Sequence, residues 1–296
     1  MTETHPISLW VWLFPALAAL FLYGVGQGLV KKWISEVPPA RFCLYFVLAK
    51  AIVNLGYYFS QGHPPLDSPE GYQFMLVGLF AYLLDGTGWI LYFKSIIAGP
   101  ITIVGTLSAA YPAITVLFAR IFLGEHLAPL QYVGVMTVIL GCIGLSYSPP
   151  DPSKKKTSRR WVLYAASAVL IWGAAQTLVK FSYTLPGSNE AIMAFLNTIG
   201  GALTLGIYGF LYGRQGKHSA GEWTKSFLPM GMMAAGDLGV IIASRFGPVS
   251  VVSPLTGAYP VVTLGFAALV LKESIALYQW VCIAMIIVGM FISPGA

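Results

Sequence analysis

The chain has 296 residues, of which 57% are hydrophobic and only 9% charged. Soluble domains carry about 25% charged side chains, so this composition excludes a water-facing globular surface. The formal charge of +6 comes from basic residues in short connectors between apolar runs. That placement excludes a nucleic-acid interface and fits the charge bias of membrane loops.

A bilayer core about 30 Å thick takes about 20 apolar residues per helix. Ten segments follow that pattern, in chain order: Leu9–Lys31, Ala40–Ser60, Tyr72–Phe93, Gly99–Phe122, Ala128–Tyr147, Trp161–Tyr183, Ala191–Tyr212, Phe227–Arg245, Val249–Leu271 and Tyr278–Ile292. The first run is too long for a signal-peptide core and has no basic residues before it, so no cleavable signal is expected. Connectors are short and rich in Gly, Pro, Asn and Asp, as in YTLPGSNE after the sixth segment. Cys43, Cys142 and Cys282 lie inside apolar runs without metal-type spacing and read as packed thiols.

The only strongly polar connector, SPPDPSKKKTSRR, falls between the fifth and sixth segments. It divides the chain into residues 1–150, a basic linker at 151–160, and residues 161–296. The two parts are copies. At an offset of 148, Gly99–Glu125 matches Gly247–Glu273 at 12 of 27 positions, including Gly-Pro, Tyr-Pro and the final Glu. At an offset of 149, GVGQGLVK from Gly24 lies over GAAQTLVK from Gly173. Apolar helices resemble one another by chance, but shared Gln, Glu, Lys and Pro in one register are not accounted for that way. Five segments per copy is an odd number, so the second copy enters the membrane upside down. The expected fold is an all-α membrane protein of ten transmembrane helices, built as two inverted five-helix repeats. Such repeats place a binding site near the midplane, between halves that rock.

This arrangement, with the G-P…AYP…E phrase closing each half, resembles the drug/metabolite transporter superfamily, and its EamA-like branch most closely. Arg41-Phe42 opening the second segment and the turns LGEHL and LKESI add to the resemblance. The resemblance implies a secondary active transporter of a small polar or amphipathic metabolite, an amino acid or related compound. Export by alternating access is implied, in a bacterial inner membrane. It also implies a central cavity lined mainly by segments 1, 3, 4, 6, 8 and 9. No cofactor, no nucleic-acid partner and no enzymatic activity are expected; the partners are the substrate and the lipid bilayer, and the protein is a monomer or homodimer. No G-x-x-x-x-G-K-[ST] loop is present, so a primary ATP-driven pump in a single chain is not expected, and proton coupling is a candidate drive. The rival readings are an uncoupled facilitator, a non-transporting accessory protein and an intramembrane lipid enzyme. The last lacks catalytic grouping, since His5, His63, His126 and His218 all fall in loops or the N-terminal tail.

A charge at the bilayer centre costs about 2.5–3.5 kcal/mol on insertion scales, so it normally faces a cavity or a partner. Lys50, Asp85 and Asp237 fall inside segments, with Glu190 at the start of the seventh. Asp85 and Asp237 supply one carboxylate per half, one helical turn apart in register. Their functional reading is proton exchange or capture of an amine. The structural alternative pairs Asp85 with Lys50; Asp237 has no evident partner in the sequence. Lys50 with Asp85 alongside is also a candidate receptor for a zwitterion. Gln27 and Gln176, each four residues before a lysine, are candidate polar gates or interhelical hydrogen-bonding groups. Tyr111-Pro112 and Tyr259-Pro260 sit mid-segment, where proline removes a helix bond. Pro112 and Pro260 are candidate hinges, the freed carbonyls being those of Ser108 and Thr256, and Tyr111 and Tyr259 candidate lining groups. Trp89 and Trp172, with Tyr82, are candidates for an aromatic wall. Glu125 and Glu273 read as turn or cap residues. Thirteen of the 17 lysines and arginines cluster on the connectors after the odd-numbered segments and three on the other side, with Lys50 between. The positive-inside rule then places both termini outside the cytoplasm, whereas the family resemblance implies both inside.

Overall fold

The computed structural model describes residues 8–33, 37–98, 108, 110–146, 160–214, 221–270, 272 and 275–293. Among them all regular structure is helical. The elements are α1 (Leu9–Trp33), α2 (Pro39–Ser60), α3 (Tyr72–Ala98), α4 (Tyr111–Phe122), α5 (Pro129–Ser146) and α6 (Arg160–Ser182), then α7 (Glu190–Gly201) and α8 (Ile207–Tyr212). The second half continues with α9 (Glu222–Phe246), α10 (Val249–Gly257), α11 (Pro260–Val270) and α12 (Leu277–Ile292). Seven spans are long and apolar enough to cross a bilayer; three shorter apolar helices, α4, α5 and α12, accompany them. Most of the fourth predicted segment before Tyr111, and the polar linker up to residue 159, lie outside the described residues.

Two predicted single helices depart from regular α-helix along their length. The seventh segment is continuous from Glu190 to Tyr212 but passes through a π-helical stretch, Ala202–Gly206. Such stretches insert one residue into the helix ladder and occur often at functional sites. The ninth segment breaks at Ala258-Tyr259, between α10 and α11. The expectation that proline kinks one continuous helix is thus corrected: Pro260 opens α11, and Pro112 sits in the first turn of α4. Proline is tolerated there because the first-turn amides have no helix partner to lose. Nor is the Thr256 carbonyl left free, since it accepts from Tyr259 N at 3.4 Å.

With water absent from the hydrocarbon, helices associate through close backbone approach at small residues. Gly236 lies under the Tyr23 ring and Gly239 against the Pro15 carbonyl, joining α1 to α9. Gly134, Gly141 and Gly289 join α5 to α12. The internal duplication reappears as a duplicated contact. A Cβ on Gly24 would stand 2.7 Å from Val262 Cγ1, and one on Gly173 would stand 2.6 Å from Ile114 Cβ. Both glycine and partner are repeat mates, so α1 packs on α11 as α6 packs on α4.

Both ends of the bundle carry polar ties. Arg41 is 2% exposed; its Nη1 lies 2.8 Å from Glu222 Oε2, and its Nε donates to the Gly213 carbonyl at 2.9 Å. This ties the start of α2 to the end of α8 and the start of α9. At the other end Glu125 accepts from the amides of Val249 and Ser250, at 3.0 Å each, and from the Ser250 hydroxyl. A carboxylate on free helix N-terminal amides is favoured by both hydrogen bonding and the helix dipole. Gly124, at φ 64°, provides the left-handed turn that precedes it. Lys180 meets the preceding helix end, donating to the carbonyls of Ser244 at 3.0 Å and Gly247 at 2.7 Å. The α9–α10 turn is therefore held between a carboxylate from the first half and an ammonium on α6. Glu125 is a cap, as read from the sequence, but it caps a helix of the opposite half rather than the next one. Glu273 and the Lys31 side chain lie outside the described residues. Arg245 pairs with Glu190, which places Glu190 at the bundle end rather than in the membrane interior.

Candidate functional site

Four helices each present two side chains, four residues apart, to one central space. They are Tyr23 and Gln27 on α1, Asp85 and Trp89 on α3, Trp172 and Gln176 on α6, and Met233 and Asp237 on α9. A spacing of four keeps both side chains on one helix face. Tyr92, Ser108, Tyr111 and Tyr259 complete the lining of a cavity of about 660 Å³, counting the open space at its mouth. A smaller space of about 270 Å³ adjoins it, sharing Tyr23, Asp85, Gln176 and Asp237 and adding Tyr82, Val179, Asn197, Val240 and Ile241. The two carboxylates therefore stand between two chambers. Among the described residues no group of three His, Cys, Asp or Glu side chains could hold a metal.

The structure brings Gln27, Asp85, Trp89, Tyr111, Trp172, Gln176, Asp237 and Tyr259 together as lining groups. Pro112 and Pro260 sit beside Tyr111 and Tyr259, where α4 and α11 begin. Lys50 does not line either chamber. It lies behind the carboxylates, 1% exposed, with its alkyl chain passing Gly201.

The expected pair of Lys50 with Asp85 is present, but it is the longer of two. Lys50 Nζ is 2.8 Å from Asp237 Oδ2 but 3.9 Å from Asp85 Oδ2. The ammonium also donates to Asn197 Oδ1 at 2.8 Å. Its approach to Asp237 Oδ2 is an ion pair whose angle falls outside hydrogen-bond geometry, so that oxygen accepts no hydrogen bond. Tyr23 donates to Asp237 Oδ1 at 2.5 Å. Asp237, without an evident partner in the sequence, is the carboxylate that has two. Asp85 accepts no side-chain hydrogen bond among the described residues, and 18% of its side chain is exposed, into the cavity. One lysine faces two carboxylates, so the cluster carries one formal negative charge in excess.

An aromatic wall faces this charge. The Trp172 ring centroid is 5.2 Å from that of Trp89, 5.5 Å from Tyr92 and 6.0 Å from Tyr111. Trp172 Nε1 donates to the Asp85 carbonyl at 3.2 Å, fixing the ring against α3. Gly88 leaves room for it, since a Cβ there would stand 2.7 Å from Trp172 Cδ1. Tyr23 meets Tyr259 edge-on at 6.1 Å. Tyr82, predicted for the wall, lines the smaller chamber instead.

The sequence reading missed Tyr23, Tyr92, Ser108 and Met233. Tyr23 and Met233 were available as the residues four before Gln27 and Asp237, and Tyr92 as the residue three after Trp89. Ser108 carries no signal beyond standing one turn before Tyr111.

Both halves match one family description, the EamA-like transporter family, over residues 10–147 and 159–293. The chain belongs to the EamA-like transporter family. The duplicated phrase thus marks two repeats of one module, and this EamA-like protein is an integral multi-pass membrane protein of a transporter family. No curated protein matches the sequence significantly. The fold is similar to that of a solved crystal structure at a TM-score of 0.75, with 19% identity, covering 94% of each chain.

Proposed function

We propose that the protein is a ten-span secondary transporter that moves a small polar or amphipathic metabolite by alternating access, the two repeats lying inverted in the membrane. The observation that carries this reading is the excess carboxylate charge in a cavity shared by helices of both halves. A buried charge of this kind is costly and marks a substrate or ion path. Asp85, the less engaged carboxylate, is the group that exchanges a proton or a cationic moiety. The helix starts at Tyr111 and Pro260, the latter beside the break at Ala258-Tyr259, are the flexing points. The clamp of Glu125 and Lys180 on the α9–α10 turn holds one end shut until the halves rock. Export follows from the family resemblance.

Proteoliposomes loaded with a pH-sensitive dye test the coupling. An imposed gradient of amino acids or amines, supplied as a panel, is expected to move protons with the wild type and not with Asp85→Asn. Substrate flux that ignores the pH gradient in both proteins would favour an uncoupled facilitator.

A further inference from the structure

We infer that the cavity receives a small organic monocation, a protonated amine with an apolar body, and that Asp85 is its counter-ion. This rests on the transport reading and adds the class of substrate. The side chains lining the two chambers include two carboxylates and no lysine, arginine or histidine among the described residues. The one nearby ammonium, Lys50, is 1% exposed and already shared by Asn197 and Asp237. Asp237 is matched by that ammonium and by the Tyr23 hydroxyl. Asp85 accepts a hydrogen bond from neither, stands at a longer 3.9 Å from the ammonium, and faces the cavity.

A ligand carboxylate or phosphate entering this space meets neutral lining groups and a like charge, which opposes burial. A single positive charge cancels the excess. The zwitterion receptor expected from Lys50 and Asp85 is not favoured, because Lys50 is withdrawn behind the carboxylates. The aromatic wall points to the same class. A cation within about 6 Å of aromatic ring faces is attracted by their negative faces, and Trp172 with the three rings around it, Trp89, Tyr92 and Tyr111, lines the same cavity as Asp85. Gln27 and Gln176 line the cavity with no hydrogen-bond partner among the described residues. Their side-chain carbonyls are acceptors for ammonium N–H groups.

Three ligands with one aromatic body and different charge test the inference: 2-phenylethylamine, phenylalanine and phenylacetate. Binding to the purified full chain is read by quenching of tryptophan emission, and flux by uptake of the labelled compounds into proteoliposomes. The amine is expected to bind at least about tenfold more tightly than the other two. Asp85→Asn is expected to erase that preference while eluting as a monodisperse protein, and Asp85→Glu to keep it. Equal or tighter binding of phenylalanine or phenylacetate, an amine preference that survives Asp85→Asn, or no binding of any of the three overturns the inference. Phenylalanine flux without amine preference sinks the monocation class and leaves the transport reading standing. Asp85-dependent amine binding without flux supports the class and sinks the transport reading.

Discussion

Replacing Lys50 by methionine removes the ammonium that faces Asp85 and Asp237, the only one among the described residues paired with either, and leaves the two carboxylates facing each other. At an effective dielectric of about 20, a charge pair at 2.8 Å is worth about 6 kcal/mol and one at 3.9 Å about 4 kcal/mol before desolvation. Desolvation of the ammonium offsets much of this, and breaking a buried pair by removing one partner costs about 3–5 kcal/mol. Lys50→Met is therefore expected to lower the unfolding free energy by about that amount, measured by SDS titration in mixed micelles. The second substitution discriminates. Lys50→Met with Asp237→Asn should recover to within about 1 kcal/mol of wild type, because the closer pair has then been removed on both sides. Lys50→Met with Asp85→Asn should recover less, since Asp85 is farther away and partly solvated by the cavity. Equal rescue by the two aspartate substitutions, or a Lys50→Met protein within about 1 kcal/mol of wild type, would refute the assignment of Asp237 as the matched carboxylate and Asp85 as the free one.

Two further outcomes follow from the packing and a third from the charge distribution. Glu125→Ala removes the acceptor for the Val249 and Ser250 amides and should destabilise the protein by about 1–2 kcal/mol in the same titration; an unchanged midpoint would contradict the clamp. Gly88→Val places carbon against the Trp172 ring, with an overpacking cost of about 1–3 kcal/mol, and should shift tryptophan emission and weaken ligand binding together. The lysine and arginine distribution predicts that a reporter fused to the C terminus is active only outside the cytoplasm; cytoplasmic activity would show that the family pattern overrides the charge bias.

The repeat, seven of the spans and eight of the cavity side chains were legible because each rests on a local signal: long apolar runs, a shared register, and polar or aromatic residues where lipid tolerates few. The partnership of Lys50 was not. Lys50 and Asp237 are 187 positions apart, and which of two carboxylates a lysine meets depends on how α2, α7 and α9 cross, which no spacing within one helix reports. Glu125 was read as a cap, but its target lies 124 residues away, on a helix brought near by packing of the halves. The break at Ala258-Tyr259 was signalled by Pro260, yet proline alone does not separate a kink from a new helix start. That depends on whether the turn before it closes its own hydrogen bonds, as it does here through Leu255 and Thr256.

Accessibility of the cavity from each side of the membrane tests the central claim most directly. In a background with Cys43, Cys142 and Cys282 replaced, Ser108→Cys puts a nearly isosteric thiol on the cavity wall. The account predicts labelling by a membrane-impermeant thiol reagent from either side, the fraction from one side falling as the other rises when 2-phenylethylamine or the pH gradient is applied. Labelling from the same single side under every condition, or none at all, would contradict it.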